Sequence, residues 1–185
     1  MIFDIIKKRR SIFPVQYNEE PIEKADIEKV LEAANWAPNH KKTEPWRFKV
    51  IQGEAKTRLG LFLSRKYEEL DPRPKTMKIK KLQENPKRAG AIIVICMQRD
   101  PKESLPEWEE VAAVAMAVQN MWLLCTEMGI GSYWSSPGLI DHMDEFFHLN
   151  VGEKCLGFFY MGNFDGDFPD AERKPIASKT EWVSA

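Results

Sequence analysis

Ala91-Ile92-Ile93-Val94-Ile95-Cys96-Met97 is an unbroken apolar run of strand length. A strand with one wet face alternates apolar and polar residues, so a strand that is apolar at every position is expected to be buried on both faces. Cys155-Leu156-Gly157-Phe158-Phe159-Tyr160-Met161-Gly162 reads as a second core strand. Between the two lies the longest helical pattern, residues 107–128. Its Val111-Ala112-Ala113-Val114-Ala115-Met116-Ala117-Val118 is apolar nearly all round and is expected to lie buried, with Gly129 as C-cap.

Outward from this centre, Arg47-Phe48-Lys49-Val50-Ile51 and Ile130-Gly131-Ser132-Tyr133-Trp134 read as shorter strands. Three- and four-residue spacing predicts helices over residues 2–10, 24–36 and 55–70, and a short acidic helix over 141–149. In the first, Ile2, Phe3, Ile5 and Ile6 form the expected buried side; in the second, Ile27, Val30, Leu31 and Ala34. Residues 37–46, bracketed by Pro38 and Pro45, read as an ordered loop. Residues 71–88 carry Arg73, Lys75, Lys78, Lys80, Lys81, Lys87 and Arg88 with few apolar anchors, and read as a solvated helix and loop, a candidate lid over a site. Helices outnumber strands and do not alternate with them, which favours an α+β sandwich over a doubly wound parallel sheet.

The chain has 185 residues, with 27 Lys+Arg against 28 Asp+Glu and a net charge of −1. One domain, residues 1–185, is expected, with a polar C-terminal extension at 165–185. Charge balance argues against a dedicated binder of nucleic acid or anionic membrane. No apolar stretch approaches the ~20 residues that span a bilayer. The opening segment places its charges after its apolar residues, the reverse of a secretory signal, so a cytoplasmic protein is expected. Cys96, Cys125 and Cys155 form no CxxC pair.

Protein-only chemistry finds little support. Gly129-Ile130-Gly131 follows a helix, not a strand, and so is no dinucleotide-binding turn. No phosphate loop, nucleophile elbow or metal-spaced histidine pair occurs. Four features remain. Arg9-Arg10-Ser11 ends the first helix, where basic residues are favoured in any case, yet two guanidinium groups beside a hydroxyl also suit a phosphate monoester. The loop bearing Asn39, His40, Lys41, Lys42 and Thr43 sets donors beside flat apolar Trp36 and Trp46. Trp134-Ser135-Ser136-Pro137-Gly138 is a small-residue turn that a planar ligand can approach closely, or an ordinary turn into a helix. Arg173-Lys174 is by itself a surface charge pair.

In this order and spacing the four features, with the Ala/Val/Met-rich central helix and Gly157–Gly162, resemble the nitroreductase family of flavoproteins, and most closely its short-chain branch. The resemblance covers roughly residues 2–180. It implies an α/β sandwich with a central, mainly antiparallel sheet flanked by helices, and a homodimer with FMN at the interface. The extension at 165–185 then packs on the partner subunit. The implied reaction is a ping-pong transfer from NADH or NADPH to a small-molecule acceptor such as a nitroaromatic or quinone. Arg9, Ser11 and Arg173 are implied to hold the FMN phosphate, with Arg10 beside them. Asn39 and His40 reach the partner's flavin, and Trp134, Ser135 and Ser136 line the ring or ribityl chain.

A flavin carries the redox chemistry, so the missing triad and metal set fit this reading. A cation beside the pyrimidine side favours reduction, and Lys41 or Lys42 is expected to supply it. The chain departs from the broad family's Pro-Ser-x-x-Asn-x-Gln-Pro-Trp loop: Asn39, Lys42 and Glu44 replace the Ser, Asn and Gln. A flavin-binding or flavin-consuming protein without turnover is the alternative. A flavin-free adaptor for RNA or an acidic partner is a third reading, disfavoured because residues 65–88 hold one aromatic, Tyr67.

Overall fold

The central strand is covered on both faces by helices. In this computed structural model, which describes residues 1–18, 20–169 and 171–184, four strands form one sheet: β1 (Trp46–Ile51), β2 (Ala91–Gln98), β3 (Gly131–Ser135) and β4 (Glu153–Gly162). Their order is β1-β2-β4-β3, and every pairing is antiparallel. Along β2 the side chains alternate between two cores. Ala91, Ile93, Ile95 and Met97 face one helical layer, and Ile92, Val94 and Cys96 the other. An antiparallel sheet covered on both sides explains why β2 shows no polar alternation.

One layer is α2 (Lys24–Asn35) and α5 (Glu107–Glu127), which bury Ile27, Val30 and Ala34 against Ala113, Val114, Ala117, Val118 and Met121. Asn120 Nδ2 donates to the Ala33 carbonyl at 3.1 Å and ties the two helices together. The other layer is α3 (Glu54–Leu70) and α4 (Thr76–Arg88), with the 3-10 turn Gly138–Glu145. Leu59, Leu63 and Tyr67 of α3 pack on Ile92, Val94 and Phe158. Gly60 sets how closely the two helices approach, because a Cβ there would lie 2.8 Å from the Gln83 carbonyl oxygen.

Three sequence expectations need correction. First, α1 (Ile2–Lys8) has no fully buried residue: Ile2, Phe3 and Ile6 are exposed and Ile5 is half-buried. Second, α5 is not buried all round: Trp108 is 69% exposed and Met116 is exposed. Third, residues 138–145 wind as a 3-10 helix, not as an α-helix over 141–149. Residues 71–88 are more ordered than a solvated loop implies, since α4 half-buries Ile79 and Leu82 against the second core. The described part of the 165–185 extension, which leaves out Asp170 and Ala185, carries Trp182 at 90% exposure. All three cysteines are buried free thiols.

At the start of β4, the Glu153 carboxylate accepts from Lys49 Nζ at 2.5 Å and from the Asn150 amide and side chain at 3.0 Å each. Burial opposes its ionisation, but the Asn150 amide and Lys49 outweigh burial and hold the carboxyl below its ordinary range. A carboxylate with a depressed folded-state pKa adds stability above its unfolded value, about 4.3, and loses it as pH falls through the folded value. Glu153→Gln is expected to cost about 1–3 kcal/mol at pH 7. In urea titrations that gap closes below about pH 4.

Candidate functional site

Strand β3 is a free edge of the sheet, and the segment after α1 runs along it. The Ile12 amide donates to the Ser132 carbonyl at 3.0 Å, which blunts the edge. Beyond it the Phe13 and Tyr133 rings stand 4.7 Å apart. Tyr17 closes this layer: its hydroxyl donates to the Ile12 carbonyl at 2.8 Å, with the Tyr160 carbonyl 3.2 Å away as the second acceptor within reach. Residues 9–15 thus lie beside β3, with arginines at one end and aromatic rings at the other.

At the first end Arg9, Arg10 and Arg173 line one cleft of about 390 Å³ with Ile6 and Lys7. The Arg9 guanidinium lies 4.6 Å from the centroid of the Trp122 ring, and Trp122 Nε1 donates to the Arg10 carbonyl at 3.0 Å. Burial first, and then the charges of Arg173 and Arg10, push the Arg9 pKa below the ordinary guanidinium value. Three like charges gathered on partly apolar ground favour an anion in their midst. Arg10 also donates to the carbonyls of Lys7 at 2.5 Å, Arg9 at 2.9 Å and Pro169 at 3.1 Å. It thereby caps α1 and ties that helix to the C-terminal segment. Ser11, next along the chain, is exposed and does not line this cleft.

At the other end is a cavity of about 510 Å³. Phe13, Pro14, Leu63, Leu82, Tyr133 and Tyr160 supply its apolar walls, and Ser135, Asn85, Lys78 and Lys81 its polar groups. Ser135 of the expected set lines it. Trp134, one residue earlier, points to the opposite face of the sheet, where its Nε1 donates to the Leu156 carbonyl at 3.3 Å. Ser136 is exposed just beyond.

Asn39, His40 and Lys42 are not brought to either end. Their loop folds as a 3-10 turn, His40–Lys42, against the start of α5: His40 Nδ1 is 2.7 Å from Glu109 Oε2, and Lys41 Nζ donates to the Ser104 carbonyl at 2.8 Å. Glu109 and Trp122 stand thirteen residues apart on α5, about 20 Å along its axis. The expected site therefore falls into two halves at opposite ends of one helix. Lys41, Lys42 and Glu44 all adopt positive φ (53°, 54° and 42°), each costing about 1–3 kcal/mol. Such strain concentrates at functional sites. The Asn39 side chain braces the loop by accepting from the Glu44 amide at 3.1 Å.

Sequence reasoning missed Trp122, Phe13, Tyr133, Asn85 and the cavity-facing role of Lys78 and Lys81. The i, i+3 spacing of the two lysines was the one local signal, since it puts both on one helix face.

Sheet order and the two helical layers together define a nitroreductase-like α+β sandwich. The chain belongs to the nitroreductase family, whose model matches residues 6–163. It is 30% identical over 179 residues to "Putative NAD(P)H nitroreductase YfhC" of Bacillus subtilis, covering 95% of this chain and 91% of that one. A solved nitroreductase-like family protein from Bacillus cereus superposes with a TM-score of 0.87 at 30% identity, covering 100% of this chain and 97% of the other. A Bacteroides fragilis nitroreductase with bound FMN shares the fold at a TM-score of 0.73 and 21% identity, covering 99% and 98%. No helix among the described residues is long and apolar enough to cross a membrane.

Proposed function

We propose that this chain is an FMN-dependent NAD(P)H oxidoreductase that passes electrons by a ping-pong cycle from NADH or NADPH to nitroaromatics, quinones or similar acceptors. The observation that carries the reading is the joining of an arginine cluster to an aromatic cavity by residues 9–15 beside β3. FMN is a phosphate monoester at one end and a planar heteroaromatic at the other, and the arginine cleft and the aromatic cavity offer matching chemistry in that order. Arg9 and Arg173, with Ser11 and Arg10 beside them, hold the phosphate. Phe13, Tyr133 and Ser135 flank the ring, and Trp134 and Ser136 hold the turn that follows. When bound, the flavin supplies a two-electron relay between nicotinamide and acceptor. The chain's own groups bind, orient and exclude water.

The site is completed in a homodimer. Trp108, Ala112, Met116, Gln119 and Leu123 form a stripe on the outer side of α5, spaced as a helix–helix seam. Pairing two such stripes antiparallel about a two-fold axis carries the Asn39–His40–Lys42 loop of one subunit to the Arg9–Trp122 end of the other. The exposed face of α1 and the extension at 165–185, Trp182 included, find cover on the partner. Met116→Glu is expected to weaken the dimer by at least about 2 kcal/mol, roughly 30-fold. Sedimentation checks it, and FMN retention falls with the dimer.

Steady-state NADH and NADPH oxidation with a nitroaromatic or quinone tests the activity. Turnover supports it; tight FMN binding without turnover favours the flavin-binding or flavin-consuming alternative.

A further inference from the structure

Helix α4 reads Thr-Met-Lys-Ile-Lys-Lys-Leu-Gln-Glu-Asn-Pro-Lys-Arg from Thr76 to Arg88, with Glu84 as its single acid. Two of its lysines, Lys78 and Lys81, stand one helical turn apart at the mouth of the cavity beside β3, and no acidic residue among the described residues lines that cavity. Lys78 is held in place: its ammonium lies 4.0 Å above the Tyr67 ring, and its charge reaches Asp71. Lys81 makes no ion pair among the described residues. The neighbouring Lys80 does not line the cavity.

From this juxtaposition we propose that the cavity selects aromatic electron acceptors bearing an anionic group, such as a carboxylate or sulfonate, with Lys78 and Lys81 as the specificity-determining pair. The inference rests on the flavin reading, because the cavity is an acceptor site only if the ring occupies its wall. An aromatic acceptor needs flat apolar cover, which the flavin face would supply on one side and Leu63, Leu82 and Tyr160 on the other. The lysines then meet a ring substituent at the solvent boundary. Cations at the mouth of a low-dielectric cleft concentrate anions there; Lys78 shares its charge with Asp71 and Tyr67, while Lys81 makes no ion pair among the described residues. Both ammoniums are exposed, so the preference is moderate. Roughly ten-fold in favour of the anionic member of a matched pair is expected at low salt, falling as salt rises.

Two measurements on the FMN-loaded protein test this without nicotinamide. Calorimetry compares 4-nitrobenzoate with nitrobenzene for binding to the oxidised protein. Stopped-flow mixing compares 1,4-naphthoquinone-2-sulfonate with 1,4-naphthoquinone for reoxidation of dithionite-reduced protein. The anionic-to-neutral ratio is compared between wild type, the double variant Lys78→Met/Lys81→Met and Lys80→Met, which cancels intrinsic differences in reactivity. The proposal expects the ratio to drop roughly ten-fold in the double variant and to hold in Lys80→Met. A ratio unchanged in the double variant, or equally reduced in Lys80→Met, overturns it. Protein that takes up no FMN overturns the flavin reading itself, and the inference with it; FMN uptake without charge preference overturns the inference alone.

Discussion

Replacing Arg9 and Arg173 together by Ala is expected to strip FMN from the protein while raising the thermal stability of the flavin-free form. The two effects have opposite signs because the same charges do opposite work in the two states. With a phosphate present, each guanidinium makes charge-assisted hydrogen bonds worth about 1.5–3 kcal/mol. Losing both weakens FMN binding by roughly a hundred- to ten-thousand-fold. Without the phosphate, Arg9 is partly buried against Trp122 and repelled by Arg173 and Arg10, as its lowered pKa records. Removing that repulsion relieves the empty protein. Titration of FMN by fluorescence quenching and melting of the apoprotein together check the prediction. A variant that loses stability and keeps its flavin affinity would show that Arg9 serves only to pack on Trp122 and that neither arginine holds the phosphate.

The second large effect is expected at Gly157→Ala. Gly157 has φ +147°, in a region that residues with a Cβ rarely adopt. It lies beside an irregularity in the β2–β4 register, where Ile95 pairs with Gly157 but Cys96 pairs with Cys155. A Cβ there would stand 2.3 Å from Trp134 Nε1 and 2.6 Å from the Ser135 carbonyl oxygen. Backbone strain and overpacking each cost about 1–3 kcal/mol, so a loss of about 3–5 kcal/mol is expected. That is a large share of the ~5–15 kcal/mol that holds a domain together. The clash falls on the strand that carries Trp134 and Ser135, so flavin affinity is expected to fall in the part of the protein that still folds. Urea unfolding with FMN titration checks both; wild-type stability would mean that β3 and β4 separate freely at this point.

What the sequence made legible and what it hid divide along a physical line. The β2 run announces two-sided burial because each position faces one core or the other, and a local pattern carries that fact completely. The arginines of residues 9–10 and the loop at 39–44 stood out as short motifs for the same reason. The apolar stripe of α1 was read correctly as apolar and wrongly as buried within the chain, since periodicity reports a face that wants cover and not which molecule supplies it. The same holds for Trp108 and Met116 on α5. The aromatic cavity was invisible because five distant segments build it: Phe13 and Pro14, Leu63, Leu82 and Asn85, Tyr133 and Ser135, and Tyr160. Only the antiparallel sheet order brings these together, and no single segment advertises it. Residues 71–88 looked like a solvated lid because their anchoring depends on Gly60, a residue on another helix that lets α4 settle against α3.

The most direct measurement is the visible absorption spectrum of the purified protein, before and after heat release of its chromophore, with the released flavin quantified against the protein. A yellow protein that releases one FMN per chain is the predicted result. A colourless protein that also fails to take up added FMN would contradict the site described above.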